Sequence, residues 1–192
     1  QKKLGVQVDG RAGTETWGAI YAHLVKAKVD GLQPAEAISE VDARSEKVIA
    51  TLQPQLHPLA RALVQKAARN GIQIKVISGL RTYAEQNALY AQGRTLPGRT
   101  VTNARGGYSN HNFGIAFDVG VFEGTRYLGE SPKYKAVGAL GMELGLEWGG
   151  SWKSIVDEPH FRLRPAWATD LSERQMLAQL RGVVAENRPI FA

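Results

Sequence analysis

The sequence predicts an α+β fold, with a small, mostly antiparallel sheet and helices packed to one side. Three observations carry that expectation. Strand-like and helix-like segments occur together but do not alternate as regular βαβ units. The strand-like segments are short and are bounded by Gly and Pro. And 192 residues, 43% of them hydrophobic, suffice for one sizeable core with a small appendage.

Residues 1–30 read as a unit of their own. In "LGVQVDGRAGTETWGAI", Asp9-Gly10 and Gly13 mark tight turns. Thr14 can cap a helix that carries Trp17, Ile20, Tyr21 and Leu24 at helical spacing. "KAKVDGLQP" then reads as a linker, so the domain boundary is placed after residue 30 and the main domain spans 31–192. A helix is expected from Pro34 to about Ala50. Pro54 and Pro58 punctuate, and "LARALVQKAARN" (59–70) predicts a second helix stopped by Gly71. "IQIKVIS" (72–78) alternates and is rich in β-branched residues, which predicts a strand. Thr82 and Glu85 form a capping box for a helix over 83–92. Residues 93–110 form a long loop rich in Gly, Arg and Thr, of a length that is usually functional. "GIAFDVGVF" predicts the next strand, 133–144 a helix, "LEWGG" a short strand and "PHFRLR" another. Asp170 and Glu173 are expected to cap a last helix, "SERQMLAQLR".

Composition removes several functions. There is no cysteine, which excludes disulfides, thiolate metal sites and cysteine nucleophiles. No apolar run is long enough to span a bilayer, so membrane insertion is not expected. The net charge of +6 favours association with polyanions, an anionic cell wall among them. The basic residues are scattered and not striped with aromatics, which argues against nucleic acid as the partner. A monomer is expected. Gln1-Lys2-Lys3 opens no recognisable export signal, and the absence of an initial Met leaves a truncated amino terminus open.

The chemistry lies in "SNHNFGIAFD" (109–118) and "VDEPHF" (156–161). Of four histidines, His23 and His57 read by default as surface or helix-end residues. His111 and His160 each stand at the entrance to an expected strand, with a carboxylate nearby: Asp118 for the first, Asp157 for the second. An odd offset within one strand would put His111 and Asp118 on opposite faces. They can meet if His111 lies in the loop and the chain turns near Gly114, a turn that glycine permits. Two histidines and one carboxylate suit zinc, and three protein ligands leave a coordination position open for water. Hydrolysis then needs a general base. Asp157 is the candidate, three residues before His160 with Pro159 stiffening the turn, and Glu158 is its rival. Arg81 follows a strand at the edge where a site would lie, and its guanidinium can grip a carboxylate or a polarised carbonyl. Ser109 could donate a hydrogen bond to substrate.

"SGLRTYAEQNALYAQGR", "SNHNFGIAFDVGVF" and "VDEPHF" resemble the signature blocks of the D-alanyl-D-alanine / L-alanyl-D-glutamate zinc metallopeptidases, over about residues 50–165. The nearest likeness is to the peptidoglycan-cleaving endopeptidases of phage endolysins. The resemblance implies zinc on His111, Asp118 and His160, and Asp157 as base. It also implies that Arg81 binds or polarises substrate and that Ser109 positions it. It implies a small hedgehog-like domain with zinc on the concave face of the sheet. The vancomycin-resistance dipeptidases place a glutamate where Asp157 stands, so the aspartate leans towards the endopeptidase branch. The implied substrate is the stem peptide of bacterial peptidoglycan, cut at L-alanyl-D-glutamate. A D-alanyl-D-alanine carboxypeptidase is the alternative, and a non-catalytic wall-binding module the more distant one. The implied route is synthesis in the cytoplasm and action on the cell wall or periplasm. "VDGRAGTETWGAI" resembles the second half of a peptidoglycan-binding repeat, whose first half is absent.

Overall fold

A computed structural model describes residues 40–153 and 155–191. The segment expected at 1–30, with His23 and the start of the helix at Pro34, lies outside the described residues. Five helices and five strands follow in the order α1 (Ala43–Ile49), α2 (Leu56–Arg69), β1 (Gln73–Ser78), α3 (Tyr83–Ala91), β2 (Ala116–Glu123), β3 (Arg126–Leu128), α4 (Lys133–Glu143), β4 (Glu147–Trp148), β5 (His160–Arg162) and α5 (Glu173–Ala185). All strand pairs are antiparallel, as the α+β reading expects.

The sheet runs β1-β2-β5-β4, and β3 pairs with β2. β2 is the central strand. Its first half pairs with β5, and its second half pairs with β3 through a hairpin turn at Gly124, where φ is +62°. Side chains alternate along β2. Phe117, Val119 and Val121 enter a core with Ile74 and Val76 of β1 and Phe161 of β5. Helices α1, α2 and α4 cover this face through Ile49, Leu56, Leu63 and Val137. Phe117 and Phe161 stack with ring centroids 5.8 Å apart. A Cβ at Gly141 of α4 would overlap the Phe161 ring, so only glycine lets the helix approach β5 this closely. A second cluster joins Phe113 and Ile115 to Met176, Leu177 and Leu180 of α5.

Four local expectations are corrected. The helix expected from Pro34 to about Ala50 begins at Ala43, because residues 40–42 are not helical and the Asp42 side chain caps α1 by accepting from the Ser45 amide. Helix α2 begins at Leu56, not after Pro58, because proline is tolerated in the first turn, where its missing N–H has no intrahelical acceptor. The last helix is capped by Ser172 and Gln175, not by Asp170 and Glu173. The Ser172 hydroxyl accepts from the Gln175 amide, and the Gln175 side chain accepts from the Ser172 amide. Strand β3 was not expected at all. The Thr82–Glu85 capping box forms as read.

Candidate metal centre and its cleft

The site grows out of the strand register. Asp118 on β2 lies directly opposite His160 on β5 and Ser78 on β1. Opposed residues of antiparallel neighbours share a face. This cross-strand row projects from the face opposite the Phe117 core.

His111 reaches the row from a 3₁₀ turn, Asn110–Phe113. Gly114 ends that turn at φ +65°, which reverses the chain into β2. The turn is laced to the segment after β1. The Arg81 amide donates to the His111 carbonyl at 3.0 Å, and Asn112 Nδ2 donates to the Arg81 carbonyl at 2.9 Å. His111 Nδ1 donates to the Gly79 carbonyl at 2.8 Å. Because a carbonyl can only accept, this bond places the ring proton on Nδ1 and leaves the lone pair of Nε2 facing the site.

Three potential ligand atoms converge there. His111 Nε2 lies 3.2 Å from Asp118 Oδ1, His160 Nδ1 lies 3.1 Å from the same oxygen, and the two nitrogens are 3.2 Å apart. Together they form a group able to hold a metal ion. Ligands at zinc's usual distances of ~2.0–2.1 Å, set tetrahedrally, stand about 3.3 Å apart, so the spacing and the donor types both fit zinc. Both histidines are buried. Burial alone would push the Asp118 carboxyl up. In the metal-free site with both imidazoles protonated, the charges and hydrogen bonds of His111 and His160 outweigh it and hold the group well below the usual carboxylate range.

Arg81 is bound into this set. Its NH2 donates to Asp118 Oδ2 at 2.8 Å and to Ser78 Oγ at 2.8 Å, and its Nε also donates to Ser78 Oγ. Its NH1 donates to Oε1 of Gln86, which is fully buried on α3. The guanidinium thus grips the oxygen of Asp118 that the histidines do not share, and its first partner is a candidate ligand. Gln86 in turn donates to the Ala104 carbonyl of the long loop at 2.8 Å.

A cleft of about 1140 Å³ opens over the site. Arg81, Ser109, His111, Asp118, Asp157 and His160 all line it. Asp157 comes from the loop between β4 and β5, where its amide donates to the Gly149 carbonyl at 3.1 Å. Burial pushes its carboxyl up, and the neighbouring Asp118 charge adds to that. His160, His111 and Arg81 pull the other way. Glu158 is not part of the lining; its carbonyl accepts from Trp148 Nε1 at 2.7 Å. His57 stands apart, bonded to the Leu52 carbonyl at 3.0 Å.

Sequence reasoning passed over Ser78, Gln86 and Trp152. Trp152 sets its ring 5.0 Å from that of His160 and 5.2 Å from the Arg162 guanidinium. The signal available for Gln86 was a lone polar residue on the buried side of α3; nothing local marked the other two.

The sequence matches the family described as VanY, D-alanyl-D-alanine carboxypeptidase, over residues 49–165. The chain belongs to the VanY family. The matched stretch contains β1, β2 and β5 and every candidate site residue from Arg81 to His160. Among relatives, the chain is 38% identical to the peptidoglycan L-alanyl-D-glutamate endopeptidase CwlK of Bacillus subtilis, over 57% of this chain and 74% of that one. It is 31% identical to the L-alanyl-D-glutamate peptidase of Listeria phage A118, over 54% of this chain but only 34% of the phage protein. Among solved structures it resembles the L-Ala D-Glu endopeptidase ChiX of Serratia marcescens, with a TM-score of 0.51 and 26% identity. That likeness covers 68% of this chain and 94% of ChiX. Among the described residues no helix is long and apolar enough to cross a membrane.

Proposed function

We propose that this VanY-family protein hydrolyses the L-alanyl-D-glutamate bond in the stem peptide of bacterial peptidoglycan. Zinc would be held by His111 Nε2, Asp118 Oδ1 and His160 Nδ1. The observation that carries the reading is the convergence of those three atoms in the cleft that Asp157 also lines. The relatives named for L-alanyl-D-glutamate cleavage select the bond. The protein acts on the cell wall, and as a monomer.

Bound zinc supplies Lewis acidity towards water and the scissile carbonyl. Asp157 accepts the proton of the attacking water and returns it to the leaving amine. A carboxylate pushed up by burial is a stronger base than an exposed aspartate, which suits that task. Arg81 holds Asp118 in the orientation its ligand role needs. Its NH1 carries a second hydrogen beyond the one given to Gln86, and this is the donor it offers a substrate carbonyl. Ser109 lines the same cleft and positions the peptide.

The family description favours a second reading, removal of a terminal D-alanine. Mass spectrometry of purified peptidoglycan after incubation with the zinc-loaded protein separates the two. New D-glutamate amino ends are the expected result. Loss of terminal D-alanine alone would move the assignment to a carboxypeptidase. No cleavage with zinc bound would leave a wall-binding module.

A further inference from the structure

Glutamate has two carboxyl groups, and a chain can use only one of them to continue. The residue that leaves when an L-alanyl-D-glutamate bond is cut therefore carries a free carboxylate close to the reacting amine. A cleft that admits it must pair that charge or pay for its desolvation.

Among the described residues, four Lys and Arg side chains line the cleft: Arg81, Lys153, Arg162 and Arg164. The charge of Arg81 is already paired with Asp118, which leaves its NH1 hydrogen for a neutral carbonyl and not for a second carboxylate. Arg162 pairs with Glu147 at 2.6 Å and also with Glu173. Arg164 pairs with Glu147 at 2.6 Å. Lys153 has no ion-pair partner among the described residues. Arg105 and Arg181, which stack on Tyr108 at 4.5 and 4.4 Å, are not part of the lining.

The loop presenting Lys153 is tied down on both sides. Before it, Ser151 Oγ donates to the Trp148 carbonyl at 2.7 Å, and the Trp152 ring packs on His160. After it, the Asp157 amide is held by the Gly149 carbonyl. The ammonium thus follows directly on a residue packed against a candidate zinc ligand, and precedes the candidate base by four positions.

We propose that Lys153 binds the free carboxylate of the glutamyl residue that leaves, and so determines the specificity of the cleft. This rests on the endopeptidase reading above. The test uses the zinc-loaded full chain and two synthetic peptides. One contains L-alanyl-D-glutamate with its second carboxyl free; the other carries a carboxamide there. Amidation should cost the wild type about ten- to a hundredfold in kcat/KM, the range of a charge-assisted hydrogen bond. Lys153→Met should lose a similar factor on the free-acid peptide and barely distinguish the two substrates. Lys153→Arg should keep the preference for the acid, and Lys135→Met, which removes an exposed charge on α4, should behave as wild type. Undiminished discrimination by a Lys153→Met variant with full zinc content would overturn the assignment and leave the endopeptidase standing. Cleavage of neither peptide by the wild type would overturn both.

Discussion

The candidate ligands and the candidate base line one cleft but are held in different ways. Asp118 and His160 sit opposite each other on paired strands, backed by the stacked Phe117 and Phe161 and by the close approach of α4 at Gly141. His111 is fixed by its bond to Gly79. Asp157, Ser109 and Lys153 instead come from connecting segments tied at their ends. On the proposed roles, metal retention belongs to the sheet and its lacing, while proton transfer and substrate choice belong to the loops. The two functions should separate on mutation.

The largest effect tests the sheet side. His160→Ala or His111→Ala should abolish both zinc retention, read by elemental analysis, and turnover. A zinc content equal to wild type in either variant would remove that residue from the ligand set. Next comes the loop side. Asp157→Ala should keep its zinc and lose about 10²–10⁴ in kcat, the usual reach of general acid–base catalysis. Full activity would make another group the base.

A pH profile sharpens the same contrast. As the proposed base, Asp157 would work only when ionised, so kcat/KM should fall on the acid side as it protonates. In the metal-free protein burial and the Asp118 charge push this carboxyl up; a bound zinc ion opposes both, so the position of the fall reads how far the metal offsets burial. In Asp157→Asn the residual activity should lose this limb. In the metal-free protein the linkage to stability has two signs. Asp118, with its carboxyl held low, contributes stability that is present above an ordinary aspartate's pKa and lost as pH falls through its depressed folded value. Asp157, raised, contributes stability at low pH that is lost as pH rises through its folded value.

Smaller still is Arg81→Met, which should weaken zinc binding by about 10–100-fold, the typical cost of losing a group that orients a ligand. Unchanged affinity with reduced kcat would assign Arg81 to the substrate instead. Smallest is Gly141→Ala. Overpacking against Phe161 should cost about 1–3 kcal/mol of stability, read as a lower thermal midpoint, without touching a candidate ligand.

Helix α3 and the strands β1, β2 and β5 were legible because each has a local signal: a capping box at Thr82, β-branched alternation at 73–78, and a largely apolar stretch at 115–122 interrupted by Asp118. β3 has three residues and no alternation to read, and it exists because the hairpin after Glu123 folds it onto β2. The last helix was misplaced at its cap because Asp170, Ser172, Glu173 and Gln175 offer competing capping pairs, and local sequence does not rank them. The ligand and base candidates could be named because their residue types suit zinc hydrolysis and the three motif blocks together resemble one family; the spacing of His111 and Asp118 alone is a weak signal. The engagement of Arg81 with Asp118 could not, since it spans 37 positions and depends on the β1–β2 register.

The cross-strand row has a consequence for folding. His111 and His160 are 49 positions apart in the chain, yet their ring nitrogens meet within 3.2 Å. No local segment of an unfolded chain offers all three ligands at once. An ion held by them acts as a clasp on non-local topology, binding the folded chain and scarcely the unfolded one. By mass action, free zinc at a hundred times its dissociation constant adds about 2.7 kcal/mol to the stability of the fold. A chelator should therefore do more than silence the protein: it should lower the temperature at which β2 and β5 part.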